Sequence, residues 1–221
     1  MKKILLNLVL SVWLLQIQAN SQELKKISFD LTVSLGNSIL VNMLTGTDQL
    51  LSPYSQTNLF INIPFQKQVF LSTGIGYESN RHLVDGRFLK SQDQYDYQQA
   101  PPDYTQNEIL LDYINIPVFI KNNFGKSEAQ DLNIGIGPTI GYLVDSKQKA
   151  KISGNEITTE APVENKFRYG INLDFDLKRK FGKNKMKGVF GWGLYYQLSK
   201  NVSESKSFVP LTAYIRFGIG I

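Results

Sequence analysis

Between Lys26 and Ile221 the chain falls into about eight stretches in which every second residue is apolar. The last stretch shows the pattern most cleanly. Leu211, Ala213, Ile215, Phe217, Ile219 and Ile221 alternate with Thr212, Tyr214, Arg216, Gly218 and Gly220. Successive side chains of a strand point to opposite faces. This spacing therefore predicts a sheet with one greasy side and one polar side.

The same reading predicts seven more strands. The first runs from 27 to 41, with Ile27, Phe29, Leu31, Val33 and Leu35 opposite Ser28, Asp30, Thr32 and Ser34. The second runs from 58 to 65, and Gln66-Lys67 is a tight turn into the third, which carries Ile75 and Tyr77 opposite Gly76 and Glu78. Two strands joined so closely form an antiparallel hairpin. The fourth, 113 to 121, sets Ile114, Ile116, Val118 and Ile120 against Tyr113, Asn115, Phe119 and Lys121. Pro117 sits in it although proline cannot donate to a ladder. The fifth spans 132–142, the sixth 167–178 and the seventh 190–198.

The connections alternate as well. Long polar segments fall near 42–53, 80–108, 146–166 and 199–209, and shorter links near 66–67, 122–130 and 179–187. Bilayer-spanning barrels carry long loops on the extracellular side and short turns on the periplasmic side. An even strand count returns both chain ends to the short-turn side, so both termini are expected in the periplasm. On the greasy face, Tyr77, Tyr142, Tyr169 and Tyr196 fall toward the long loops, and Phe29, Phe65, Phe175 and Phe190 toward the short turns. Two aromatic girdles of this kind mark membrane interfaces.

Alternation fits two barrels that are inside out with respect to each other. In a soluble lipocalin-like barrel the apolar set faces inward around a ligand. The polar set here argues for the opposite arrangement. Its glycines, among them Gly74, Gly76, Gly135 and Gly193, would leave bare backbone on a solvated surface. Inside a narrow barrel they make room for larger neighbours. Its charges also balance: Asp30, Glu78, Asp174 and Asp176 against Lys121, Arg168, Lys178 and Arg216. In a lumen these can pair, which is how buried charge is tolerated. The expectation is an all-β, antiparallel up-and-down transmembrane β-barrel of about eight strands, with lipid against its apolar face.

The N-terminal segment supports export. Lys2 and Lys3 precede an apolar core from Ile4 to Leu15, and a small residue, Ala19, follows. This reads as a signal peptide over residues 1–19, leaving 20–221 as the barrel domain. Its apolar core falls short of the about 20 residues a spanning helix needs. Cleavage after Ala19 lowers the formal net charge from +5 to +3. A balance so small gives no reason to invoke nucleic acid. With no cysteine, disulfide and thiolate chemistry are excluded.

Two strands carry a family likeness. Tyr113-Ile114-Asn115-Ile116-Pro117-Val118-Phe119-Ile120-Lys121 and Gly135-Ile136-Gly137-Pro138-Thr139-Ile140-Gly141-Tyr142 resemble consecutive strands of the PorT-like outer-membrane β-barrel proteins of the Bacteroidota. The resemblance covers essentially the whole mature chain and accounts for Pro117 and Pro138 inside strands. It implies an outer-membrane location and, from the family's namesake, service to a protein-secretion system. It implies no shared catalytic residues. One departure is the chain end, Ile221, where many such barrels end on an aromatic.

Candidate chemistry is sparse. An eight-stranded lumen is just wide enough to be filled by its own side chains, which argues against a solute channel. A lipid hydrolase needs a base beside a nucleophile and an orienting acid. The one histidine, His82, with Ser79 and Asp85 nearby, is a candidate triad. Its bland alternative, an exposed loop histidine, is the expectation. Asp93, Asp96 and Asp103 in the tyrosine-rich stretch Ser91–Tyr104 match no calcium-motif spacing. That stretch reads either as a recognition loop or as a polar cover for the barrel mouth. Arg179, Lys180, Lys183, Lys185 and Lys187 make one short turn strongly basic. No catalytic, cofactor-binding or metal-binding residue is assigned.

The functional expectation is a non-enzymatic barrel. It contacts outer-membrane lipid and an envelope or secretion partner through its loops or turns. The alternatives are a lipid-modifying hydrolase using His82, a soluble lipocalin-like binder and a passive narrow pore.

Overall fold

The computed structural model describes residues 27–40, 52–84, 104–125, 130–152, 155–161, 163, 165–181, 186–199 and 210–221. They form β1 (Ser28–Leu40), β2 (Ser52–Pro64), β3 (Val69–Val84), β4 (Tyr104–Asn123), β5 (Gln130–Ile152), β6 (Asn155–Glu160), β7 (Phe167–Lys180), β8 (Lys187–Gln197) and β9 (Pro210–Gly220). Every pairing is antiparallel, in the order β4-β3-β2-β1-β9-β8-β7-β5, and β4 pairs with β5 to close the ring. The result is a closed barrel of eight strands, with β6 as an added strand beside the upper part of β5. Closure leaves no free edge in the ring, which is what a sheet needs to exist in hydrocarbon.

The first and last strands meet where β1 and β9 pair. Phe29 N–H donates to the Ile221 carbonyl at 3.0 Å, and Ile221 N–H donates to the Phe29 carbonyl at 2.9 Å. The same end of the barrel holds the short turns, such as residues 65–68, where the Phe65 and Gln66 N–H groups both donate to the Val69 carbonyl.

The barrel has its polar face inside. Asp30, Thr32, Ser34 and Ser38 of β1 are buried, and Phe29, Leu31, Val33 and Leu35 between them are exposed. Ile75, Ile116, Ile136, Ile140 and Ile215 are likewise exposed. This orientation excludes the lipocalin-like alternative. The exposed apolar belt is continuous around the ring, far beyond what a water-soluble surface carries. The four tyrosines of one girdle, Tyr77, Tyr142, Tyr169 and Tyr196, are exposed at its loop-side edge, and Phe29 and Phe190 at its turn-side edge.

The strands are longer than the alternation predicts, and the difference has a physical cause. β3 and β4 run 16 and 20 residues, so the connection expected at 80–108 shrinks to 85–103. Above Tyr77 the pattern inverts on β4 and β5. Ile109, Leu111 and Leu143 are buried inside the barrel, and Arg81, Glu108 and Asp145 lie toward the outside. There the barrel stands clear of the belt as a collar with the polarity of a soluble protein. A β-bulge between Asp112 and Tyr113 marks the changeover on the β4–β5 pair. The segment expected as a loop at 146–166 is largely strand: β5 continues to Ile152 and turns back as β6, residue 160 facing 147. β6 is exposed on both faces, so no hydrophobic period announces it.

Candidate functional site

The lumen is the first place to look for chemistry, and it is filled. Its middle layer is built by β4, β7 and β9. Lys121 of β4 lies between Asp174 and Asp176 of β7, bonded to both carboxylates. Arg216 of β9 reaches the same two acids, at 2.7 Å to Asp174 and 3.3 Å to Asp176. Tyr214 donates to Asp174 at 3.2 Å. Phe60 and Phe119 cover the cations, with Lys121 Nζ 5.6 and 5.2 Å from their ring centres. Such covering adds cation–π attraction in a desolvated setting.

A second cluster lies toward the collar. Arg168 pairs with Glu78 and stacks on Tyr113, its guanidinium carbon 3.7 Å from the ring centre. Asn115 ties the pair together, donating to Glu78 at 2.7 Å and accepting from Arg168 at 3.0 Å. A third cluster lies at the turn side. There Lys178 pairs with Asp30, and Asn62 donates to Asp30 at 2.8 Å. Lys187 pairs with Asp131, which also accepts from Asn123 at 2.9 Å. All eight charges that the sequence places on the polar face are paired across the lumen. The Asp131–Lys187 pair was not anticipated, because Lys187 falls in a segment read as a turn and Asp131 just before the strand read from 132.

Inward glycines explain how side chains this large fit. A Cβ at Gly193 would collide with the ring of Tyr214. One at Gly141 would strike Arg168 and Asn115. These two glycines sit beside bulky polar residues from neighbouring strands, which is the small-beside-large packing a narrow barrel needs.

This packing sets what can pass. Lys121, Arg216, Asp174, Asp176, Phe60 and Phe119 are each at most 2 % exposed. The layer they form is packed shut, so no open path runs through the middle of the described barrel. The charges neutralise one another instead of lining a conduit. Below that layer the lumen opens at the turn side into a vestibule of about 220 Å³, lined by Asp30, Asn62, Asn123, Asp131, Lys178 and Lys187 among others.

The candidate triad is not assembled. His82 is not an exposed loop residue, as the sequence reading had it. It lies in β3, faces the lumen and is 5 % exposed. The strand extends past the belt, and alternation there turns even-numbered residues inward. Ser79, three residues earlier, therefore points to the opposite face and cannot meet His82. Asp85 lies outside the described residues, as do Asp93, Asp96 and Asp103. His82 sits above Tyr77, in the collar, opposite Ile109. Burial, and then the positive charge of Arg168, hold its pKa down to about 4, well below the ordinary 6.5. A histidine so placed stays neutral at physiological pH.

Solved outer-membrane proteins resemble the barrel distantly. The outer membrane protein OprG of Pseudomonas aeruginosa aligns over 88% of this chain and 93% of its own, at 11% identity and a TM-score of 0.47. Neisserial surface protein A aligns over 90% and 99%, at 9% identity and a TM-score of 0.46. Ail, the attachment invasion locus protein of Yersinia pestis, aligns over 89% and 100%, at 13% identity and a TM-score of 0.41. Likeness this low carries nothing about activity. No curated protein is significantly similar in sequence. The decisive match is to a family model described as outer membrane protein beta-barrel domain, which spans residues 18–221. With its closed ring, apolar outside and filled polar lumen, the chain belongs to that outer-membrane β-barrel family.

Proposed function

We propose that this outer-membrane barrel is a non-enzymatic scaffold. It serves envelope structure or protein secretion by presenting its extracellular loops or periplasmic turns to a partner. The observation that carries the reading is the tightly packed middle layer of Lys121, Asp174, Asp176 and Arg216. With the lumen filled and neutralised, what remains to act is what projects beyond the belt. The resemblance of Tyr113–Lys121 and Gly135–Tyr142 to the PorT-like barrels supports secretion over other envelope roles. Export by cleavage after Ala19, with both termini in the periplasm, belongs to the same reading.

The test is crosslinking in intact cells. Wild-type barrel is compared with a variant lacking residues 91–103, with folding of both checked by the heat-dependent gel mobility of folded barrels. The reading expects at least one envelope protein to be lost from the crosslinked set. An identical set from both would overturn the loop as the working surface.

A further inference from the structure

Pro117 and Pro138 stand inside strands that are paired on both sides, where a proline removes a rung of the ladder. The pairing shows both losses. Between β3 and β4 the register runs to Thr73↔Val118 and resumes only at Gly76↔Asn115. Between β4 and β5 it breaks off at Pro117↔Thr139 and resumes at Ile120↔Ile136. The six other pairings of the ring continue without interruption. Both gaps therefore share one strand and lie side by side, in the stretch Ile116–Phe119.

The alternation of antiparallel bonding identifies what is missing. Pro117 has no N–H for the Gly74 carbonyl, and Pro138 has none for the Val118 carbonyl. Ile116, Ile136 and Pro138 face the lipid, and hydrocarbon supplies no substitute donor. The Thr73 hydroxyl donates to the Pro117 carbonyl at 2.9 Å, which relieves neither loss. The inside of the wall is weak at the same place. Gly74 and Gly76 follow Ser72 on the inward side of β3 and bring no side chain to pack there. Ser72 Oγ and both polar atoms of the Asn58 amide are buried without a partner. Ser72 lies opposite Phe119, and Asn58 opposite Gly76. Phe119 itself belongs to the packed middle layer. Its ring centre is 5.2 Å from Lys121 Nζ and 6.0 Å from that of Phe60.

We infer that the Ile116–Phe119 stretch is a built-in yielding point in the barrel wall. Its movement lifts Phe119 from Lys121 and admits water to Ser72, Asn58 and the ion-paired layer. The opposite wall, from β7 to β9, keeps every rung and stays closed. Water that reaches Ser72 and Asn58 satisfies groups left unpaired in the closed barrel, which offsets part of the cost of opening.

Amide exchange in the barrel refolded into lipid nanodiscs tests this residue by residue, because local opening sets the exchange rate. Gly74 and Val118 are expected to exchange about tenfold faster than Ile171 and Leu173, which lie on the unbroken β7. Pro117→Ala with Pro138→Val supplies both missing N–H groups. It should slow Gly74 and Val118 about fivefold and leave Ile171 and Leu173 as they were. The link to the middle layer has its own readout. The chain has no cysteine, so Ser72→Cys places a single thiol opposite Phe119. A charged, water-soluble thiol reagent should label it slowly, and about fivefold more slowly once the prolines are replaced. Should the double replacement not fold by gel mobility, Pro138→Val is read alone, with Val118 exchange and Ser72→Cys labelling both slowed. Exchange at Gly74 and Val118 no faster than at Ile171 and Leu173, or rates untouched by replacing the prolines, overturns the yielding wall. Labelling of Ser72→Cys that ignores the prolines overturns the opening of the layer.

Discussion

The membrane zone and the collar are one continuous sheet with opposite polarity. In the zone, Ile75, Ile116 and Ile136 face out, and Lys121, Asp174 and Arg216 face in. In the collar, Ile109, Leu111 and Leu143 face in, and Arg81 and Asp145 are exposed. Strand geometry is the same in both. What differs is the medium outside the wall. Lipid rewards apolar residues outside and leaves the interior to groups that can satisfy one another, whereas water rewards the reverse. The two regions also hold similar ion pairs in unlike settings. Lys121 and Asp174 are nearly inaccessible, while Lys147 and Asp145, 2.6 Å apart, are about half exposed.

The sharpest way to break the comparison is to remove one partner from each pair. Lys121→Met leaves Asp174 and Asp176 facing each other with Arg216 alone between them. Breaking a buried pair this way typically costs about 3–5 kcal/mol. The expected result is a large drop in the urea midpoint for unfolding from lipid vesicles. A drop below about 1 kcal/mol would mean that the layer is far wetter than its burial implies.

The collar's buried histidine gives a pH dependence. Its folded pKa of about 4 lies below the ordinary 6.5, so in that window the unfolded chain takes a proton that the folded chain refuses. Above pH 6.5 His82 has no effect. As pH falls toward 4 stability is lost, and below that the loss levels off. The full effect is about 3 kcal/mol by linkage. It should appear as a difference between wild type and His82→Gln in urea midpoints measured from pH 7.5 to 4. Parallel pH curves for the two proteins would show that His82 is open to water.

Packing comes next. Gly193→Val puts a branched side chain where the Tyr214 ring lies. Overpacking of this sort costs about 1–3 kcal/mol. The variant should unfold at lower urea and lose its heat-modifiable gel shift at lower temperature. Combining it with Tyr214→Ala should restore part of the loss, and failure to do so would show that the clash is not the cause. The smallest effect belongs to the collar's outer surface. Lys147→Gln removes an exposed partner that water and salt already screen, and no resolvable change in midpoint is expected. A shift matching that of Lys121→Met would erase the distinction between the two regions.

Much of the barrel was legible because lipid imposes a strict rule. From Phe29 to Leu35, and again from Leu211 to Ile221, each alternate residue must be apolar, and the sequence shows it. The eight balancing charges were legible for the same reason, since alternation assigns them to the enclosed face. The collar was harder to read. At Ile109 and Leu111 the apolar residues continue the alternation but change sides, and β6 at Asn155–Glu160 has no buried face to leave a period. His82 was misplaced because the end of β3 was misjudged, and alternation then gave no face for it.

The sequence by itself determined the strand period, the greasy and polar sets, the alternation of long and short connections, and which charges would have to find partners. Those follow from local geometry and from the solvent each face meets. Tertiary structure alone decided which acid meets which base, because pairing across a lumen depends on register and closure. Arg216 reaches Asp174 across β8, and Lys178 reaches Asp30 past β8 and β9. It alone decided, too, that the middle of the lumen is closed by packing. That depends on how glycines on one strand stand beside tyrosine and arginine on the next, a relation that no single strand contains.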